Sequence, residues 1–353
     1  MDRSQYPFML DLISISGITH KKLDLIFSRF DKPSDVFKSS LTDLLDTGID
    51  SETAQKILGY KRDKTVEKQI IEMDKNNIRI ITRRDNEYPE NMKNIPGPFY
   101  LFIRGKIEKE DSKAVAMVGT RRASEYGKVV AMRFARELTE AGITIVSGMA
   151  RGIDTYSHRG ALEKGRTIAV LGSGVNVCYP PENKKLMNSI IENGAVVSEY
   201  PPDTPPFSGN FPKRNRIISG ISLLVIVVEA REGSGVLHTV KWALRQNRTV
   251  LAVPGGIYSP NSAVTNDLIK QGAYPVTSVE DVLSYLDIEY VRKEIPHLEP
   301  DEMEIYQIVE TGPLHIDEIV DKTGKSISEV SLILMNLQMK GIIKELAGKR
   351  YTV

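Results

Sequence analysis

Three short segments of this chain combine glycines with arginines, hydroxyls or amides: Gly119-Thr120-Arg121-Arg122-Ala123-Ser124, Gly148-Met149-Ala150-Arg151-Gly152 and Gly172-Ser173-Gly174-Val175-Asn176. Glycine lets a backbone approach a ligand closely, while guanidinium and hydroxyl groups donate hydrogen bonds to phosphate oxygens. Any one of the segments reads as a tight turn. Three of them, sharing Arg121, Arg122 and Arg151, point to an anion-binding surface. A fourth segment, Phe211-Pro212-Lys213-Arg214-Asn215-Arg216, puts three cations at or near the start of a helix that continues into Ile217-Ile218. Helix dipoles disfavour cations there unless an anion is present. Lys184 and Lys185 open another helical stretch after Tyr179-Pro180-Pro181. The candidate phosphate ligands are therefore Gly119, Thr120, Arg121, Arg122, Ser124, Gly148, Arg151, Lys184, Lys185, Lys213, Arg214, Asn215 and Arg216.

Bond-breaking chemistry finds little to work with. The phosphate-loop pattern is absent, since Gly160 to Gly165 has the glycine spacing but is followed by Arg166,. Gly172-Ser173-Gly174 lacks the third glycine or alanine of the dinucleotide fingerprint, because Val177 stands there,. His20, His158, His238, His297 and His315 show no paired metal spacing, and no serine sits in a nucleophile elbow,. A lone Cys178 forms neither an intrachain disulfide nor a thiolate cluster and is expected to be inert,. We expect no catalytic residue, no metal and no cofactor.

The elements that must position the glycine-arginine loops are legible in the apolar pattern. From residue 114, short runs alternate with helical stretches: Ala114 to Val118, Ile143 to Ser147, Thr167 to Leu171, Ala195 to Ser198, Leu223 to Val228 and Thr249 to Val253. Strands apolar on both faces and joined by helices specify an α/β fold, a Rossmann-like, doubly wound, mainly parallel sheet. Earlier runs at Ile78 to Thr82 and Phe99 to Ile103 extend it, giving a domain at 66–288. In such sheets ligands bind outside the carboxyl ends of the strands, where the three loops fall. Residues 1–65 read as a small helical domain, SAM/helix-hairpin-helix-like at the Ser16-Gly17-Ile18-Thr19 turn, and better suited to protein interaction than to DNA. Residues 289–300 carry prolines and charges and mark a linker. Three amphipathic helices and a two-stranded hairpin over 301–353 specify a winged-helix domain.

The 353 residues suffice for two or three domains, and 41% hydrophobic with 26% charged is ordinary for a globular chain,. The longest apolar run, Leu223 to Val228, is far too short to span a membrane, and residues 1–10 lack a leader's apolar stretch,. A cytoplasmic location is expected. Net charge is only +1, yet residues 114–220 hold 14 basic against 9 acidic groups. The winged-helix segment is net negative. Its third helix offers Glu329 and a single cation, Lys340, so it is not expected to read DNA,.

Taken in order, Val118-Gly119-Thr120-Arg121, Ser147 to Asp154, Leu171 to Gly174, Tyr179-Pro180, Ser198 to Pro202, Phe211 to Gly220 and Val253 to Gly256 resemble the DNA-processing protein A family, DprA or Smf, over about 170 residues. The resemblance implies a homodimer that binds and protects single-stranded DNA and loads the RecA recombinase during natural transformation. It implies Arg121, Lys184 or Lys185, and Arg214 to Arg216 as the lining of a DNA pocket. Ser234-Gly235-Val236-Leu237 and Val264 before Thr265-Asn266 depart from the family's usual residues. The Pro254-Gly255-Gly256 loop is also similar to that of nucleotide phosphoribohydrolases of the lysine-decarboxylase-like type. Those need a glutamate soon afterwards, and the next acid here is Asp267.

Overall fold

Apolar segments too short for helices and too apolar to face water require a sheet covered on both sides, and the computed structural model of the protein contains one. It describes residues 1–288, 298–310 and 312–352, in two compact units, Met1–Asp287 and Ile288–Val353. Most of the expected linker and Val353 lie outside the described residues.

The sheet of the first unit has nine strands: β1 (Arg79–Thr82), β2 (Tyr100–Gly105), β3 (Val115–Val118), β4 (Ile145–Ser147), β5 (Thr167–Leu171), β6 (Gly194–Ser198), β7 (Leu224–Val227), β8 (Thr249–Ala252) and β9 (Tyr274–Pro275). Their order is β1-β2-β6-β5-β4-β3-β7-β8-β9. From β6 to β9 every pairing is parallel, whereas β1–β2 and β2–β6 are antiparallel. The result is a doubly wound α/β sheet with an antiparallel extension. Every residue of β3 to β7 is buried, which is why these strands read as unbroken apolar runs,. Strand β9 escaped the sequence because its two residues are both exposed and carry no apolar pattern.

From β3 the chain builds outward to β6, and helix Asn210–Ile221 then carries it back to lay β7 on the other side of β3. Loops leaving β3 and β7 therefore turn to opposite faces. The crevice between them is the topological switch point of the sheet.

Short helices fill the first 75 residues, from Tyr6–Ser14 to Lys64–Lys75. Thr19, Ser40, Asp50 and Asp63 begin four of them by accepting first-turn backbone N–H groups,. Leu23, Ile26 and Phe27 are buried as their spacing requires, and Phe27 stacks on Phe99 at 5.0 Å. Their core is shared with the sheet: Leu10, Ile26, Tyr100, Phe102 and Val196 belong to one cluster.

In the second unit, helices Pro300–Glu310, Ile316–Thr323 and Ile327–Met339 pack around Ile305, Ile319, Val330 and Leu334. The expected two-stranded hairpin of the wing is present and gains a third strand. Leu314–His315 pairs with Arg350–Thr352, which also pairs with Lys344–Leu346. A two-residue strand gives no periodicity to read. Lys340, the cation at the end of the third helix, is ion-paired to Glu302, and that helix exposes Leu332, Met335 and Met339.

His158 is fully buried behind β5, its Nδ1 2.7 Å from Thr167 Oγ1. Its Nε2 has no hydrogen-bond partner among the described residues. Burial, helped by the charge of Arg214, pushes the imidazole down to about 3. The unfolded chain protonates this group near pH 6.5, so stability from the neutral imidazole is complete above that pH and lost as pH falls towards 3. Between pH 7 and pH 5 the expected loss from this residue is about 2 kcal/mol. Urea unfolding of wild type and His158→Gln at both pH values checks it: the variant should lack that increment, and identical pH slopes would refute it.

Candidate nucleic-acid interface

At the switch point the structure opens a cleft of about 660 Å³. One wall is the loop after β3, with Gly119, Thr120, Arg121 and Arg122; the other is the loop after β7, with Arg231 to Gly235; helix Asn210–Ile221 contributes Phe211, Arg214 and Asn215. Four arginines thus meet two acids, Asp154 and Glu232.

Arg121 and Arg122 are exposed, and neither is ion-paired among the described residues. The Arg121 guanidinium lies 5.8 Å from the centroid of the Phe211 ring, which in turn leans on Tyr179 at 5.5 Å. At this distance the ring attracts the cation without taking up its N–H donors,. Gly119 is where it is because a Cβ there would lie 2.4 Å from Ile153 Cγ1.

Ser124 is committed elsewhere. It caps helix Glu125–Glu140, accepting from Gly127 N, and its hydroxyl and amide both donate to the buried carboxylate of Glu229. A Cβ on Gly127 would lie 2.2 Å from Glu229 Oε2. The start of helix Glu125–Glu140 therefore already holds an internal carboxylate. Asn261 completes the arrangement by donating to Glu229 and to the Arg122 carbonyl.

The Lys213-Arg214-Asn215-Arg216 element does not begin its helix. The helix starts at Asn210, and at 100° per residue the successive side chains diverge,. Lys213 faces solvent outside the cleft lining. Arg214, only 4% exposed, donates to the carbonyls of Gly148 (2.7 Å) and Val170 beneath the cleft floor. Burial pushes it down to about 10, with Asp154 opposing, so it keeps its charge at neutral pH. The same burial raises the carboxyl of Asp154. Gly148 is glycine for this guanidinium: its Cβ would be 2.6 Å from Arg214 Nη2. Asn215 lines the cleft and reaches the Gly235 carbonyl. Arg216 turns away to Glu199, which also holds His20 of the helical region.

Arg151 is exposed beside the loop of β4 and paired with Glu182, whose carboxylate it holds low. Lys184 and Lys185 lie exposed in the first turn of helix Lys184–Asn193, after β5, outside the cleft lining. The structure therefore gathers Gly119, Thr120, Arg121, Arg122, Arg214 and Asn215 at one cleft and spreads the other candidates along the edge or under it. Arg231, Ser234, Gly235 and His238 were missed as lining residues. The signal was present: Arg231-Glu232-Gly233-Ser234-Gly235 repeats the glycine-rich composition of the other loops, and the switch point requires the loop after β7 to join the site.

Among the described residues, no group of three or more His, Cys, Asp or Glu is placed to hold a metal ion, and no helix is long and apolar enough to cross a membrane. A cationic cleft at the switch point of a doubly wound sheet, on a chain that also carries a winged helix, defines an α/β protein with an anion-receptive edge. The family model for DNA recombination-mediator protein A matches residues 79–287, and the DprA winged-helix model matches 292–349. The chain belongs to the DprA/Smf family. It is 37% identical over 321 residues to Protein Smf of Escherichia coli, covering 86% of this chain and 85% of that one. The crystal structure of DNA processing protein A from Streptococcus pneumoniae is similar with a TM-score of 0.68 at 33% identity, over 81% of this chain and 99% of the other. DNA processing protein A of Helicobacter pylori, described for its single-stranded DNA binding mode, matches with a TM-score of 0.54 at 28% identity, over 61% and 97%.

Proposed function

We propose that the protein binds single-stranded DNA along the carboxyl edge of its sheet and presents it, as a cytoplasmic homodimer, to the RecA recombinase in recombination or transformation. Its work is binding and hand-over, with no bond broken. The observation that carries this reading is the pair of exposed, carboxylate-free guanidinium groups of Arg121 and Arg122 at the switch-point cleft, with Arg231 facing them. Lys213, Lys184, Lys185 and Arg151 extend the positive edge beyond the cleft, and Arg214 with Gly148 holds its floor. A single strand suits this arrangement because its phosphates follow a curved line of separate cations and its bases remain free to meet Phe211 or Tyr179. The winged helix is assigned no groove-reading role, since its third helix presents apolar side chains and its terminal lysine is paired.

The test is RecA filament assembly on single strands precoated with single-strand-binding protein. Stoichiometric addition of this protein should accelerate assembly. Gel shifts at two salt concentrations should show preference for single-stranded over duplex oligonucleotides. Tight strand binding without acceleration would refute the loading role, and equal affinity for duplex would refute the strand preference.

A further inference from the structure

Helix Val236–Arg245 joins β7 to β8, and because those strands are parallel it starts at the carboxyl edge of the sheet and runs back across it,. Its first turn already belongs to the cleft wall, where Val236, His238 and Thr239 are lining residues. Val236, Thr239, Val240 and Ala243 are buried, so the opposite face looks outward. On that face His238, Lys241 and Arg245 are exposed, and a separation of three and seven residues puts them in one ridge,. At about 1.5 Å per residue the ridge carries charge about 10 Å beyond His238. No acid accompanies it: the helix has none, and none stands between Glu232 and Asp267 in the sequence. Lys241 and Arg245 form no ion pair among the described residues. Arg248, the next cation, is by contrast committed to the Asn91 carbonyl at 2.6 Å. The Arg245 guanidinium lies 5.3 Å from the centroid of the Trp242 ring, an attraction that takes up none of its N–H donors,.

We infer that this ridge is a second phosphate track, along which a single strand leaves the cleft and continues over the outer face of helix Val236–Arg245. The inference rests on the single-strand reading of the cleft and gives the strand an exit. Continuity selects the occupant: a strand held by the cleft arginines emerges past His238, which belongs to both cleft and ridge, and the next cations on that helix are Lys241 and Arg245. Beside the ridge Leu237 and Leu244 stand exposed at 44% and 63%, an apolar flank for the sugars and bases of a strand whose phosphates take the cations. A second copy of the chain fits poorly, because about a twofold axis the ridge would meet itself, cation against cation, with no acid on the helix to answer,. Long cationic side chains on a helix face follow a backbone without reading bases, so the track adds affinity and length dependence and no sequence preference.

The test uses the full chain and oligothymidylates of about 4 and about 16 nucleotides. Trp242 is the one tryptophan of the chain, so its fluorescence reports from the ridge itself. At saturation the longer strand should change that emission, and the shorter, held by the cleft, should leave it unchanged. The double variant Lys241→Ala, Arg245→Ala should bind the longer strand about 10-fold or more weakly at low salt, with a log-log salt slope shallower by about 1.4, two contacts at about 0.7 each. It should bind the shorter strand as wild type does, and Lys241→Arg with Arg245→Lys should bind both strands as wild type. Wild-type affinity of the alanine variant for the longer strand, with Arg121→Ala weakened, would overturn the track and leave the cleft reading standing, the ridge passing to an acid-rich peptide. An equal loss, or an equal change in emission, with both strands would overturn it too, since the ridge would then act through the cleft. A changed sedimentation coefficient in the alanine variant would make the ridge an interface between copies and overturn the track. Failure of the wild type to bind either strand would overturn both readings.

Discussion

Arg214→Ala is expected to destabilise the first unit by about 2–5 kcal/mol, since two buried carbonyls would lose their donor at about 1–3 kcal/mol each. The guanidinium fills space under the cleft, bonds the Gly148 and Val170 carbonyls and balances buried Asp154. Alanine would leave those carbonyls unpaired and remove the positive charge nearest in effect on buried Asp154. Gly148→Ala should approach the same outcome from the other side, because its Cβ must displace the guanidinium. Chemical denaturation of each variant is the measurement. A loss below about 1 kcal/mol would show that Arg214 is not the keystone of the floor. Loss of strand binding in Arg214→Ala alone would not identify a DNA ligand; stability and affinity have to be read together.

The opposite signature is expected of the double variant Arg121→Ala, Arg122→Ala. Both side chains are exposed, so stability should stay within about 0.5 kcal/mol of wild type. Affinity for single strands should fall by about 100-fold or more at low salt, since each lost charge-assisted hydrogen bond is worth about 1.5–3 kcal/mol net. The log-log salt dependence should become shallower by about 0.7 per phosphate contact removed. Arg151→Ala should lose less, because that arginine already spends its charge on Glu182. Titrations at three salt concentrations separate these cases. An unchanged slope in the double variant would place the strand elsewhere.

The contrast between Arg214 and Arg121 also marks the limit of what the residues alone disclose. Sheet strands β1 to β8 were legible because burial on both faces leaves an apolar signature that needs no tertiary context. The composition of three loops pointed to the sheet edge at which the cationic cleft opens. Adjacent cations in Lys213-Arg214-Asn215-Arg216 look equivalent on paper, and only the start of the helix at Asn210 decides which one points into the sheet, which into the cleft and which towards Glu199. Ser124 was misread for a similar reason. Its partner Glu229 lies 105 residues away, and nothing local to either residue announces the pair. Arg231 needed the strand order, because a loop becomes part of the crevice only once β7 is known to lie beside β3.

Glu229 has one further consequence. With a carboxylate of its own seated at the start of helix Glu125–Glu140, the first turn of that helix does not offer a visiting ligand the free amides by which helix starts hold a phosphate,. A lone nucleotide would collect one or two scattered guanidinium contacts and leave. A polymer collects them in series, each bound phosphate raising the local concentration of the next. On the proposed single-strand reading, an edge of separate cations favours a long ligand over a monomer because only the polymer engages several of them at once.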